Sequence, residues 1–74
     1  MKINEFIAKF AEAIEVDNVE ALTAETEFRE LDEWSSLSVM LLIAFYDEEF
    51  GKELTQAQIK SANTLQDLYN IAIA

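Results

Sequence analysis

A chain of 74 residues is one small domain, residues 1–74, and its fifteen acidic against five basic residues give a formal net charge of −10, which argues against nucleic acid as a partner and against stable insertion in an anionic membrane. With 51% apolar residues the chain is too hydrophobic for a disordered acidic tail, so it should fold. It holds neither cysteine nor histidine, and so lacks a disulfide, a thiolate or imidazole metal ligand and the commonest general base, which argues against a self-contained hydrolase or metalloenzyme.

The first predicted element is a helix. Ile3, Phe6, Ile7, Phe10 and Ile14 share one face at helical spacing, with Glu5, Lys9, Glu12 and Glu15 off it. Lys9 follows Glu5 by four residues, the favourable order for an ion pair along a helix. Met1 to Glu5 lack the uninterrupted apolar core of a signal peptide. From Val16 to Ser35 the periodicity weakens. Asp17-Asn18, Thr23 and Thr26 are turn and cap residues, and Val19, Leu22, Phe28 and Leu31 are spaced too irregularly for one helix. The expectation is a long loop with room for a helical turn, pinned to the core by those apolar side chains. Loops of such length are uncommon in small domains and often functional.

Ser35 and Ser36 open the strongest predicted helix, which runs to about Phe50 and stops at Gly51. Its apolar run, Val39 to Tyr46, falls far short of the roughly 20 residues that cross a bilayer. A cytoplasmic protein is therefore expected. The same run leaves no polar face over two turns, unlike an ordinary surface helix. Thr55 caps a short helical turn containing Gln56 to Lys60, and Ser61 to Asn63 form a polar break. Thr64 caps the last helix, with Leu65, Leu68, Tyr69 and Ala72 on one face and Asp67 at the capping-box position. No proline, one glycine, no repeat and no linker complete an all-α reading: a four-helix bundle of three longer helices, one short helix and a long first loop.

The functional signal lies where the loop enters the second helix. Ser35 as N-cap is expected to bond a free N–H of the first turn. Ser36 then becomes the first helical residue, with its hydroxyl exposed near the positive end of the helix dipole, a place suited to a phosphate-linked group. Serines before a helix are also ordinary caps, and on composition alone they carry no more than that. The acidic pair Glu48-Glu49 reads as a solvated face, because sequence neighbours point to different sides of a helix. No metal site is expected.

From about Phe6 to Ala72 the chain resembles the acyl carrier proteins, the family of phosphopantetheine-binding carrier domains. The family signature is Asp-Ser-Leu at the start of the second helix, and its serine bears the 4′-phosphopantetheine arm. Ser36-Leu37 matches the Ser-Leu part, and Trp34 matches a tryptophan that precedes the motif in many discrete carriers. Phe28 and Leu31 in the loop, Glu48-Glu49-Phe50-Gly51 at the end of the second helix and Thr64 to Leu68 stand at compatible spacing. Two positions depart from the pattern. Ser35 replaces the aspartate through which the family's transferase recognises its carrier, and Leu41 stands where many members carry glutamate. Leu41 either packs under the loop or joins a docking patch flanked by Asp47 and Glu48.

The resemblance implies a monomeric carrier that performs no chemistry itself. An acyl or aminoacyl group would be held as a thioester on an arm derived from coenzyme A and attached to Ser36. Ser35, Leu37, Met40, Leu41, Asp47 and Glu48 would face a phosphopantetheinyl transferase and acyl-loading or acyl-using enzymes, in fatty-acid or related metabolism. The alternative is a carrier-like interaction module without the prosthetic group, which the loss of the aspartate at Ser35 favours.

Overall fold

Four helices and two short 3-10 turns follow one another along the chain, and the computed structural model describes all 74 residues. Lys2 enters α1 (Ile3–Ala13) in an extended conformation, and Glu5 accepts the Lys2 N–H at 3.1 Å. Phe6, Ile7, Phe10 and Ala11 are the buried face of α1, as the apolar spacing requires. The helix ends with the Val16 N–H donating back to the Ala11 carbonyl at 2.8 Å, which places Glu15 in the left-handed region at φ 61°.

The first loop contains 3-10 turns at Val19–Ala21 and Phe28–Glu30. Leu22 and Phe28 are buried and Leu31 packs partly buried against the core, so these three pin the loop as expected, whereas Val19, the fourth expected anchor, is exposed in its 3-10 turn and does not. Two further ties hold it to the start of α4 (Leu65–Ile73). The Leu65 N–H donates to the Thr26 carbonyl at 3.0 Å and the Gln66 N–H to the Ala24 carbonyl at 2.9 Å. These are amides that a helix leaves unpaired in its first turn, and here the loop satisfies them.

The second helix, α2, spans Ser36–Phe50 and ends at Gly51 (φ 61°), a left-handed stop that glycine adopts without steric cost. Thr55 and Gln58 cap α3 (Gln56–Ser61) reciprocally: the Gln58 N–H donates to Thr55 Oγ1 at 3.1 Å, and the Thr55 N–H to Gln58 Oε1 at 2.9 Å. Thr64 and Asp67 do the same for α4, at 3.3 and 3.1 Å. Asp67 Oδ2 also accepts the Asn63 N–H at 2.9 Å. The Asn63 and Thr64 amides hold the Asp67 carboxyl below the usual carboxylate range.

α1 packs against both α2 and α4. Phe6 is the hub of the core, with the rings of Phe10, Phe45, Tyr46, Phe50 and Tyr69 between 5.6 and 6.4 Å from its own. Burying one such ring stabilises the fold by roughly 1.5–3 kcal/mol relative to leaving it in water. Tyr46 is fully enclosed and its hydroxyl donates to the Leu68 carbonyl, so its one polar atom is satisfied. Burial pushes the Tyr46 hydroxyl pKa far above its ordinary value. The expected ion pair within α1 does not form. Lys9 reaches across to Glu49 of α2 at 3.2 Å, because Glu5 is engaged with the Lys2 amide and α2 lies alongside.

Candidate functional site

Ser35 takes the extended N-cap conformation (φ −149°, ψ 179°), and Ser36 is the first residue of α2. The cap differs from the expectation in which hydroxyl carries it. The Ser38 N–H turns to the Ser35 carbonyl at 3.0 Å, which leaves the Ser35 hydroxyl without a cap hydrogen bond. Ser38 supplies the side-chain contact instead. Its Oγ accepts the Ser35 N–H at 3.1 Å and donates to the Glu33 carbonyl at 3.2 Å. Only 2% of Ser38 is exposed, so this hydroxyl works in a place that water hardly reaches. Sequence reasoning missed the role of Ser38. Its signal was the Ser-x-x-Ser spacing of residues 35 and 38, a capping box with serine in the third helical position.

Ser36 itself is exposed. No acidic residue lies in the first turn of α2, and the N–H groups of Ser36 and Leu37 find no carbonyl partner in the loop before them. These free donors stand at the positive end of a helix of 15 residues. An anion placed there gains typically 0.3–1 kcal/mol.

What holds this helix end in place is the loop before it. Trp34 is half-buried, its ring meeting that of the fully buried Phe28 edge to face at 5.1 Å. Next to Phe28, the chain's single arginine, Arg29, spans the gap to α3. Its guanidinium donates to the carbonyls of Ile59 at 2.7 Å and Lys60 at 3.2 Å, and to Asn63 Oδ1 at 2.9 Å. The sequence offered one hint of this role: a lone arginine between Phe28 and Glu30 in an otherwise acidic loop. Behind the clamp lies a cavity of about 210 Å³ between α2 and α3, lined by Trp34, Val39 and Ile59 with Arg29, Gln56 and Lys60 at its rim.

The candidate docking residues divide between two faces of α2. Successive residues turn by about 100° around a helix, which places Ser36, Leu37, Met40, Ala44 and Asp47 on one outward stripe, all of them exposed. Leu37 is 58% and Met40 68% exposed, a large fraction for apolar side chains. Leu41 and Glu48 sit at the edge of that stripe and line a groove against α1. Leu41 thus packs toward the first helix and not under the loop. Ser35 stands exposed at the head of the stripe. No group of three or more side chains is placed to hold a metal ion, and no helix is long and apolar enough to cross a membrane.

The family model for the phosphopantetheine attachment site matches residues 4–71. The chain belongs to that family. A search of curated proteins found no match. Members of the phosphopantetheine attachment family bear 4′-phosphopantetheine covalently, and the residues present fit that group. A phosphodiester needs an accessible hydroxyl and donors for its charge, and the start of α2 offers the exposed Ser36 beside the free first-turn amides. The all-α architecture of four helices also suits the family.

Proposed function

We propose that the chain is an acyl carrier protein with Ser36 as its attachment residue. The observation that carries this reading is the exposed Ser36 hydroxyl in the first position of α2, within the matched span of residues 4–71. When attached, the arm supplies the thiol that holds the carried group. The protein's own part is positional. The unpaired Ser36 and Leu37 amides face the phosphate's charge, and Ser38, Trp34 and Arg29 fix the loop that presents Ser36. The chain performs no chemistry of its own, consistent with its lack of cysteine and histidine.

An acyl cargo is favoured over an aminoacyl one by the cavity between α2 and α3. Its Trp34, Val39 and Ile59 lining suits a short aliphatic chain, whose burial is favourable, whereas a charged ammonium there would lose its hydration. A transferase and acyl-handling enzymes would meet the stripe formed by Ser35, Leu37, Met40 and Asp47, where two exposed apolar side chains stand with an acidic one. Leu41 and Glu48 border it.

Intact mass after incubation with coenzyme A and a promiscuous phosphopantetheinyl transferase tests the assignment. The wild type and Ser35→Ala should gain the mass of the arm, and Ser36→Ala should not. An arm mapped to Ser35 by fragmentation would overturn the site. A protein that never gains mass would be the unmodified interaction module instead.

A further inference from the structure

The chain carries five basic residues against fifteen acidic ones, and two of the five stand at one hollow. The cavity between α2 and α3 is lined by Arg29, Trp34, Val39, Gln56, Ile59 and Lys60, with no carboxylate among them. The other hollows of the molecule are each bordered by acid: Glu12 at one, Glu53 at the next, Glu30 at the last. The ion pair of the structure joins Lys9 to Glu49, so neither Arg29 nor Lys60 has an acidic partner. Arg29 is fixed in place without being neutralised. Its bonds go to uncharged oxygens, those of Ile59, Lys60 and Asn63, and its Cζ lies 5.2 Å from the centre of the Phe28 ring. A guanidinium carries more N–H donors than these bonds use. Both cationic residues are exposed, so water and ligand reach them at the rim.

An apolar hollow rimmed by unmatched cations fits a ligand with an aliphatic body and an anionic end. We propose that the carried group is an ω-carboxyacyl chain, a dicarboxylic acid joined to the arm through one of its carboxyls. Its methylenes lie on Trp34, Val39 and Ile59, and its free carboxylate meets Arg29 and Lys60 at the rim. Such a cargo rests on the carrier reading, which it narrows. Reach allows it, since Val39 lies about 4.5 Å beyond Ser36 along the axis of α2. Volume sets the length: the cavity's 210 Å³ holds about seven groups of methylene size, at about 30 Å³ each. A plain alkyl chain would leave both cations unmatched, and an ammonium-ended chain would be repelled by them. The planar fork of Arg29, already held by its bonds to α3, meets a carboxylate without having to be ordered first.

The test loads the full chain from hexanoyl- and hexanedioyl-coenzyme A, two probes of equal length that differ in the terminal carboxyl. That carboxyl is isotopically labelled and titrated by NMR. On the wild type it should titrate about half a pH unit below the same group of hexanedioyl-pantetheine in solution, whereas elsewhere on a protein of net charge −10 it would titrate above it. Lys60→Glu should lift the midpoint above that of the free compound. Lys2→Glu, the same change in net charge outside the cavity, should move it less than half as far. The Arg29 Nε–H resonance should shift with the hexanedioyl cargo and keep its position with hexanoyl. A carboxyl that titrates at or above the free value, or responds equally to both variants, would overturn the proposal. So would an Arg29 shift already complete when the arm is attached without cargo, since the cations would then serve the arm's phosphate. A chain that never gains the arm refutes the carrier reading and this cargo with it; a chain that loads normally but leaves the carboxyl unperturbed refutes the cargo alone.

Discussion

Replacing Arg29 with leucine removes three hydrogen bonds to the last turn of α3 and its exit, with acceptors at 2.7, 2.9 and 3.2 Å. The bond to the Ile59 carbonyl is part-buried and the other two are exposed. A charged donor in the part-buried position contributes about 1.5–3 kcal/mol, and the exposed pair adds little because water replaces it. The expected loss is therefore about 2–3 kcal/mol. That is a large share of the roughly 4–11 kcal/mol available to a chain of this length at about 0.05–0.15 kcal/mol per residue. The midpoint of thermal unfolding should fall by about 8–24 °C. Urea unfolding followed by circular dichroism gives the free energy, with an unchanged slope showing that the same surface is exposed. Arg29→Lys should recover only part of the loss, because a single ammonium cannot reach all three acceptors with the geometry of a planar fork. A loss below about 0.5 kcal/mol would show that α3 stands without the clamp, and full rescue by lysine would show that the planar fork is dispensable.

Glu15→Gly should stabilise the fold by roughly 0.5–1 kcal/mol in the same urea assay, because a side chain at φ 61° is strained and glycine is not. Ser38→Ala should cost about 1–2 kcal/mol through the loss of its bonds with Ser35 and Glu33, and should also slow loading of Ser36. The pH profile should bend at both ends. The Tyr46 hydroxyl is raised by burial above its ordinary value of 10.0, so the unfolded chain loses that proton first. Stability should hold below pH 10 and decline as pH rises past it, more steeply than in Tyr46→Phe. Asp67 is held low by the Asn63 and Thr64 amides, so its contribution should be full above the ordinary carboxylate range and lost as pH falls through its lowered value. Asp67→Asn should flatten that acid limb.

Where one local rule decides the structure, the residues announce it. The apolar spacing in α1, the Thr55 and Thr64 caps and the Gly51 stop each follow from a few neighbouring side chains, and each is found as expected. The position of Ser36 is legible for the same reason. Distant partners are not legible this way. Lys9 chose Glu49, forty residues away, over Glu5 on its own helix, and Arg29 chose carbonyls that carry no residue identity. The unbroken run Val39–Tyr46 concealed which side chains face out, because its four sides are alike in sequence. Only the packing of α1 separates the exposed Met40 from the half-buried Leu41. The Ser-x-x-Ser spacing marked a cap at this helix end but not which of the two hydroxyls closes it, since both 35 and 38 can donate and accept.

The two amides by which α4 holds the first loop bear on how the chain is made. Leu65 and Gln66 bind carbonyls at Thr26 and Ala24, so residues synthesised early are secured by residues synthesised late. A ribosome releases the loop well before it releases the donors that fix it, and closing so long a segment carries an entropic cost that local contacts do not offset. The approach to Ser36 therefore takes its final shape only once translation has passed α4. A partner that reads this loop would find its final shape only after α4 has been made and has docked on it.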